Sequence, residues 1–253
     1  MPPTPALPLA DQAVLVTGGA RRLGAAIARR LHQEGASILI HYRSSRTDAE
    51  RLAAELNALR ARSAVLHGAD LLDLAALPGI VAATLDAFGR LDVLINNAST
   101  FYPTPLGQVT AEAFDDLIGS NLRAPLFLTQ AAAEALTARR GLVLNMVDIH
   151  ASRPLKRHPV YSAAKAGLVM LTKSLARELA PHVRVNAIAP GPVLWPEGDM
   201  DETLRERIIE RTALKRLGTP EDVARAALFF VKDAPYVTGQ VLAIDGGRSV
   251  GGL

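Results

Sequence analysis

Short apolar runs ending in glycine or polar residues alternate along the chain with segments whose apolar residues recur every three to four positions. "AVLVTGG" (13–19) precedes "RLGAAIARRLHQEG" (22–35), and "SILIHY" (37–42) precedes "TDAERLAAELNALRA" (47–61). "SAVLHGAD" (63–70) precedes "LAALPGIVAATLDAFG" (74–89), which a proline interrupts. "LDVLINNAS" (91–99) precedes a helical stretch over 111–138, split into two pieces by Pro125. "GLVLNMVD" (141–148) precedes "YSAAKAGLVMLTKSLARELA" (161–180), which Pro181 stops, and "VRVNAIAP" (183–190) follows. Helical patterns over 202–214 and 219–233 and a last apolar run, "QVLAIDGG" (240–247), complete the series; Thr219 is a candidate N-cap with Pro220 at the first helical position. Strands that alternate with helices call for β-α-β units and a parallel sheet. Runs apolar at nearly every position must be covered on both faces. The expectation is one doubly wound α/β domain over 11–253, with a sheet of about seven strands flanked by helices. Residues 1–10, rich in proline, read as a flexible tail, and 191–203, without a period, as a mobile substrate loop.

The 253 residues, 49% apolar and 21% charged, suit a soluble domain with a sizeable core. A formal charge of +3, evenly spread, argues against a nucleic-acid partner. No apolar stretch reaches the roughly 18 to 20 residues that span a bilayer, and the start, "MPPTPALPLADQ", does not read as a secretory signal. The absence of cysteine excludes disulfides and thiolate metal sites and favours a cytoplasmic location; no metal is expected.

The first strand meets the first helix at "TGGARRLG" (17–24). A helix N-terminus offers free amides and a positive dipole end, which suits a pyrophosphate. Gly18 and Gly24 allow close approach, although Arg22 stands where the dinucleotide pattern G-x-G-x-x-G would place a glycine. This is a Rossmann-type arrangement, and its second strand should carry an acid if the cofactor is NAD. The stretch is instead "HYRSSR" (41–46), with no acid before Asp48, so Arg43 and Ser44, with Ser45 or Arg46 as further candidates, are read as holding a 2′-phosphate and the expected cofactor is NADPH/NADP. Asp70 ends the third strand, where it can meet an adenine, and Asn97, Ala98 and Ser99 end the fourth. The other candidate cofactor contacts are Arg21, Arg22, Leu23, His41, Tyr42, Leu71, Met146, Pro190, Gly191 and Val193.

Asp148 ends a strand, and Tyr161 and Lys165 sit four apart on a helix, on one face. A free tyrosine has a pKa of about 10, and a nearby ammonium should lower it, making Tyr161 a proton donor or acceptor near neutral pH.

The glycine turn, "NNA" (96–98), Asn121, "YSAAK" (161–165) and "PG" (190–191) occur in the order and spacing of the short-chain dehydrogenase/reductase family, which this chain resembles over nearly its whole length. The resemblance implies that Tyr161 and Lys165 lie beside the nicotinamide, with Lys165 on its ribose, and that Asn121 holds a water or backbone group in a proton relay. Three departures from the family pattern narrow the likeness: Arg22 in the glycine turn, Asp148 where a serine is usual, and "NNASTFYPTPL" (96–106) for "NNAG". Together they resemble the pteridine reductase branch, as do "NMVD", "HYRS" and "DGG". That branch implies a pterin or folate substrate and a homotetramer with contacts through 111–138 and 161–180. Catalytic roles fall to Asp148, Tyr161, Lys165 and Asn121, and substrate contacts to Arg22, Ser99, Phe101, Asp148, Tyr161 and Trp195. Phe101 is expected to stack on the pterin. Two alternatives stay open: a carbonyl reductase of the same family acting on a 3-oxoacyl, sugar or steroid substrate, and a non-catalytic NADP-binding sensor.

Overall fold

The computed structural model describes residues 7–195 and 201–250. Among them, seven strands form one wholly parallel sheet: β1 (Ala13–Val16), β2 (Ser37–Tyr42), β3 (Ala64–Gly68), β4 (Val93–Asn96), β5 (Leu142–Met146), β6 (Arg184–Pro190) and β7 (Val241–Ile244), in the order β3-β2-β1-β4-β5-β6-β7. The helices are α1 (Arg22–Gln33), α2 (Arg46–Leu59), α3 (Leu77–Phe88), α4 (Ala111–Ile118), α5 (Ala124–Arg139), α6 (Pro159–Glu178), α7 (Glu202–Glu210) and α8 (Pro220–Lys232). The near-continuous apolar strands are explained by covering on both faces. Val14, Val16, Ile38 and Ile40 face a core with Ile27 and Leu31 of α1 and Val223 of α8. Leu15 and Leu39, the residues between, face a second core with Ile80 of α3 and Leu128 and Leu136 of α5. Burial of each such side chain stabilises by about 1.5–3 kcal/mol.

The strand order reverses beside β1, which pairs with β2 on one side and β4 on the other. At such a switch point the loops after the carboxyl ends of the strands diverge and leave a crevice. α8 begins as expected: Thr219 accepts from Asp222 N–H while the Asp222 carboxylate accepts from Thr219 N–H.

Three local differences from the sequence reading have physical causes. The break in 111–138 is a five-residue π-turn, Gly119–Arg123, and Pro125 lies in the first turn of α5, directly after it. The proline within 74–89 likewise falls in the first turn of α3, after a 3-10 turn at Leu74–Ala76. The described chain enters the core inside the segment read as a tail: Leu9 is 1% exposed and its N–H donates to Glu34 O at 2.8 Å. Residues 1–6, and 196–200 of the expected substrate loop, lie outside the described residues. No described helix is long and apolar enough to cross a membrane.

Candidate active site

The crevice has two connected parts that share Arg22, Leu23, Asn97 and Ser99. The first lies over the β1–α1 turn and the ends of β2 and β3. Thr17, at the end of β1, organises it. Its hydroxyl accepts from Asn97 N–H (2.9 Å) and Ala98 N–H (3.0 Å), and Asn97 Nδ2 donates back to Thr17 O (2.8 Å) and Gly18 O (3.1 Å). This stitches the turn to the end of β4. Gly18 has φ +58°, and a Cβ at Gly24 would lie 2.3 Å from Gly18 O and 2.6 Å from Asn97 Nδ2. Both glycines are therefore required by geometry. No side chain caps the N-terminus of α1 and its first turn holds no acid, so its amides and dipole remain available to an anion.

Arg43 and Ser44 line the crevice beyond β2, with Tyr42, Leu71 and Asp70 beside them; Asp70 Oδ1 accepts from Leu72 N–H at 3.0 Å. Arg21 is exposed, 3.8 Å from the Asp48 carboxylate. His41, read as a cofactor contact, lines this part of the crevice. It lies on the crevice floor, 1% exposed, with Nδ1 accepting from Gly18 N–H (3.2 Å) and Nε2 donating to Ala69 O (3.1 Å). Both ring nitrogens are spent on protein, and burial pushes its pKa down to about 4, so it is a neutral tie beneath the turn.

The second part holds Tyr161, Lys165 and Asp148, with Met146, Pro190, Gly191 and Val193 around them. β5 delivers Asp148, and α6, entered through Pro159 two residues earlier than the sequence pattern predicts, delivers Tyr161 and Lys165. Asp148 caps a short 3-10 turn, its Oδ1 accepting from His150 N–H at 2.8 Å. That bond leaves Oδ2 to accept from the Tyr161 hydroxyl, also at 2.8 Å. Lys165 is 2% exposed; its Nζ donates to Met146 O (2.9 Å) and lies 5.7 Å from the Tyr161 ring centroid.

The expected effect of Lys165 on Tyr161 is corrected here. Burial, the Asp148 charge and the bond to its carboxylate hold the phenol well above its ordinary pKa, while the Ser99 hydroxyl pulls slightly the other way. The carboxylate touches the phenol directly, whereas the ammonium is turned to a backbone carbonyl. Tyr161 is thus held as a proton-bearing phenol. Burial pushes the Lys165 pKa down to about 8.

Asn121 is fully buried in the π-turn. Its Nδ2 donates to Thr100 O and Leu117 O, both at 3.0 Å, and its Oδ1 accepts from Ser99 Oγ at 2.6 Å. It holds the loop after β4 and touches neither Tyr161 nor Asp148 through these bonds. Ser99 reaches both parts of the crevice. Arg22, at φ +52°, donates from Nη2 to Trp195 O at 3.0 Å. The Trp195 ring lies under the Arg205 guanidinium, 5.7 Å away, and Leu194, not Trp195, lines the second part. Phe101, 47% exposed, lines the second part with its ring against the Tyr161 ring edge-to-face, at 4.8 Å and 79°.

Sequence reasoning missed Thr17, whose signal is its place at the end of the first strand, and Val147 and His150, which flank Asp148. It also missed Leu72, Thr100 and Ser120 along the first part, where Ser45, an expected further phosphate ligand, lies with Arg43 and Ser44. The ring behind Phe101, His158, carried no sequence signal. Among the described residues, no group of three or more His, Cys, Asp or Glu side chains is placed to hold a metal ion.

A family model described as enoyl-(acyl carrier protein) reductase matches residues 18–249. Pteridine reductase 1 of Leishmania tarentolae is 38% identical, over 99% of this chain and 99% of its own length. L-rhamnose 1-dehydrogenase (NAD(P)(+)) of Azotobacter vinelandii is 36% identical, over 96% of this chain and 98% of its own. A 3-oxoacyl-acyl-carrier-protein reductase of Staphylococcus aureus is 32% identical, over 93% and 97%.

Proposed function

The chain belongs to the short-chain dehydrogenase/reductase family, and from that premise we propose that it is an NADPH-dependent reductase of pterins, taking dihydropterins or dihydrofolate to their tetrahydro forms. The observation that carries this reading is the 2.8 Å bond from the Tyr161 hydroxyl to Asp148, beside the exposed ring of Phe101. The site joins a held proton to a flat aromatic wall, and reduction of a C=N bond in a planar ring needs both.

Three features fit a dinucleotide: the uncapped α1 N-terminus, the cradle at Gly18 and Gly24 that a Cβ would fill, and the pairing of Arg43 with Ser44 where an acid would favour NAD. The nicotinamide, when bound, supplies the hydride. Lys165 offers its ammonium to the ribose side of the site. Asp148, fixed by His150 N–H, orients the phenol, and Tyr161 releases its proton to the ring nitrogen. The Lys165 ammonium then steadies the phenolate left behind, which burial would otherwise disfavour.

A second reading, 3-oxoacyl reduction, is favoured by the acyl-carrier relatives. A carboxylate at 148 opposes it, because it repels the oxyanion of a reacting ketone. NADPH oxidation measured against dihydrobiopterin, dihydrofolate and a 3-oxoacyl panel separates the two. Turnover confined to the 3-oxoacyl substrates would overturn the pterin reading.

A further inference from the structure

Phe101 lies on the irregular segment between β4 and α4, yet its ring is not loosely placed. The His158 imidazole stacks on it with centroids 4.7 Å apart and planes 8° from parallel. His158 is the fixed member of the pair. It caps α6, three residues before Tyr161; its N–H donates to Leu155 O, and its carbonyl accepts from Ser162 N–H. Its Nδ1 donates to Lys156 O at 2.9 Å, which sets both the ring's rotation and its tautomer. A separate contact ties the Phe101 segment to the same corner: Thr104, buried, donates its N–H to Arg157 O at 2.7 Å. Phe101 lines the same part of the crevice as Tyr161 and is 47% exposed, so the imidazole stacked on it leaves part of the ring open to the site.

We propose that His158 is a positioning and specificity residue: by backing Phe101 it turns the open face of that ring into a fixed flat wall, built on the helix that carries Tyr161, which favours planar ring substrates over flexible ones. This rests on the pterin reading for its substrate. An aromatic pair of this kind contributes about 0.5–1.5 kcal/mol, so loss of the backing ring should weaken substrate binding roughly 2- to 10-fold. It should leave proton transfer intact, because His158 touches neither Asp148 nor the Tyr161 hydroxyl through its own hydrogen bonds.

The test is steady-state kinetics of the full chain with dihydrobiopterin and NADPH for the wild type, His158→Ala, His158→Leu and His158→Phe. His158→Ala and His158→Leu should raise the dihydrobiopterin KM by roughly 2- to 10-fold, with kcat and the NADPH KM little changed. His158→Phe should restore the KM. An unchanged KM in His158→Ala, or a loss of kcat and KM together that phenylalanine does not repair, overturns the positioning role. A wild type that neither binds nor turns over any pterin overturns the pterin reading, a failure visible without any variant. If the alanine variant does not fold, the leucine and phenylalanine variants still decide, since they share apolar bulk and differ in the flat ring.

Discussion

Replacing Asp148 with Ala should abolish most pterin reduction while sparing the cofactor site. The Asp148 Oδ2 accepts from the Tyr161 hydroxyl at 2.8 Å, and its charge helps keep the proton on the phenol. Without the carboxylate, Tyr161 keeps its burial but loses the partner that orients it. A positioned general acid contributes typically about 10²–10⁴-fold, or roughly 2.7–5.5 kcal/mol of barrier. A loss of kcat of that order with saturating dihydrobiopterin is therefore expected, followed by the absorbance of NADPH. NADPH binding, titrated separately, should change little, because Asp148 lines only the catalytic part of the crevice. The substitution also removes the acceptor of His150 N–H, so a stability cost of about 1 kcal/mol is expected from the lost cap. Asp148→Ser separates the two effects: a hydroxyl can restore the cap while supplying no negative charge to the phenol. If Asp148→Ala turned over dihydrobiopterin within a few-fold of the wild type, Asp148 would have no part in proton delivery. If it lost NADPH affinity to the same extent as kcat, the defect would be structural.

Arg43→Glu should weaken NADPH binding by about 10- to 100-fold, the worth of a charge-assisted bond, and leave NADH little affected; an equal loss for both would remove Arg43 from the 2′-phosphate. Gly24→Ala places a Cβ 2.3 Å from Gly18 O, and strain of 1–3 kcal/mol at that turn should weaken cofactor binding by roughly 5- to 100-fold; wild-type affinity by titration would contradict the cradle. The rate should fall as pH rises through about 8, where Lys165 gives up its ammonium; a pH–rate profile flat to pH 10 would deny that charge a role. His32 and His41 are both buried, and burial holds each near pKa 4, below the unfolded value of about 6.5. The folded state keeps them neutral, so their contribution is intact above pH 6.5 and lost as pH falls toward 4, up to about 3 kcal/mol each. A melting temperature flat from pH 7 to 4 would oppose this.

The fold was legible because a doubly wound sheet writes itself into sequence as buried strands between amphipathic helices. The boundaries were less so: Pro125 and the proline of α3 read as interruptions, and each lies in the first turn of a helix that follows a π or 3-10 turn. The end of each strand was also legible, and the candidate residues at 18–24, 43–44, 97–99 and 148 followed from the rule that ligands meet parallel sheets there.

The chain by itself determined the sheet, the residue types at its carboxyl edge, and the pairing of Tyr161 with Lys165 on one helix face, because these depend on local period and short spacings. Tertiary structure alone decided what each side chain does with its atoms. It turned His41 into a neutral tie, buried Asn121 under Ser99 and Thr100, and moved the Trp195 ring toward Arg205. It set His158 behind Phe101 and made Asp148, rather than Lys165, the dominant charge on the Tyr161 proton. Hydrogen-bond partners and pKa directions depend on which group lies within about 3 Å in a desolvated pocket, and such contacts join residues far apart in the chain that no local pattern relates.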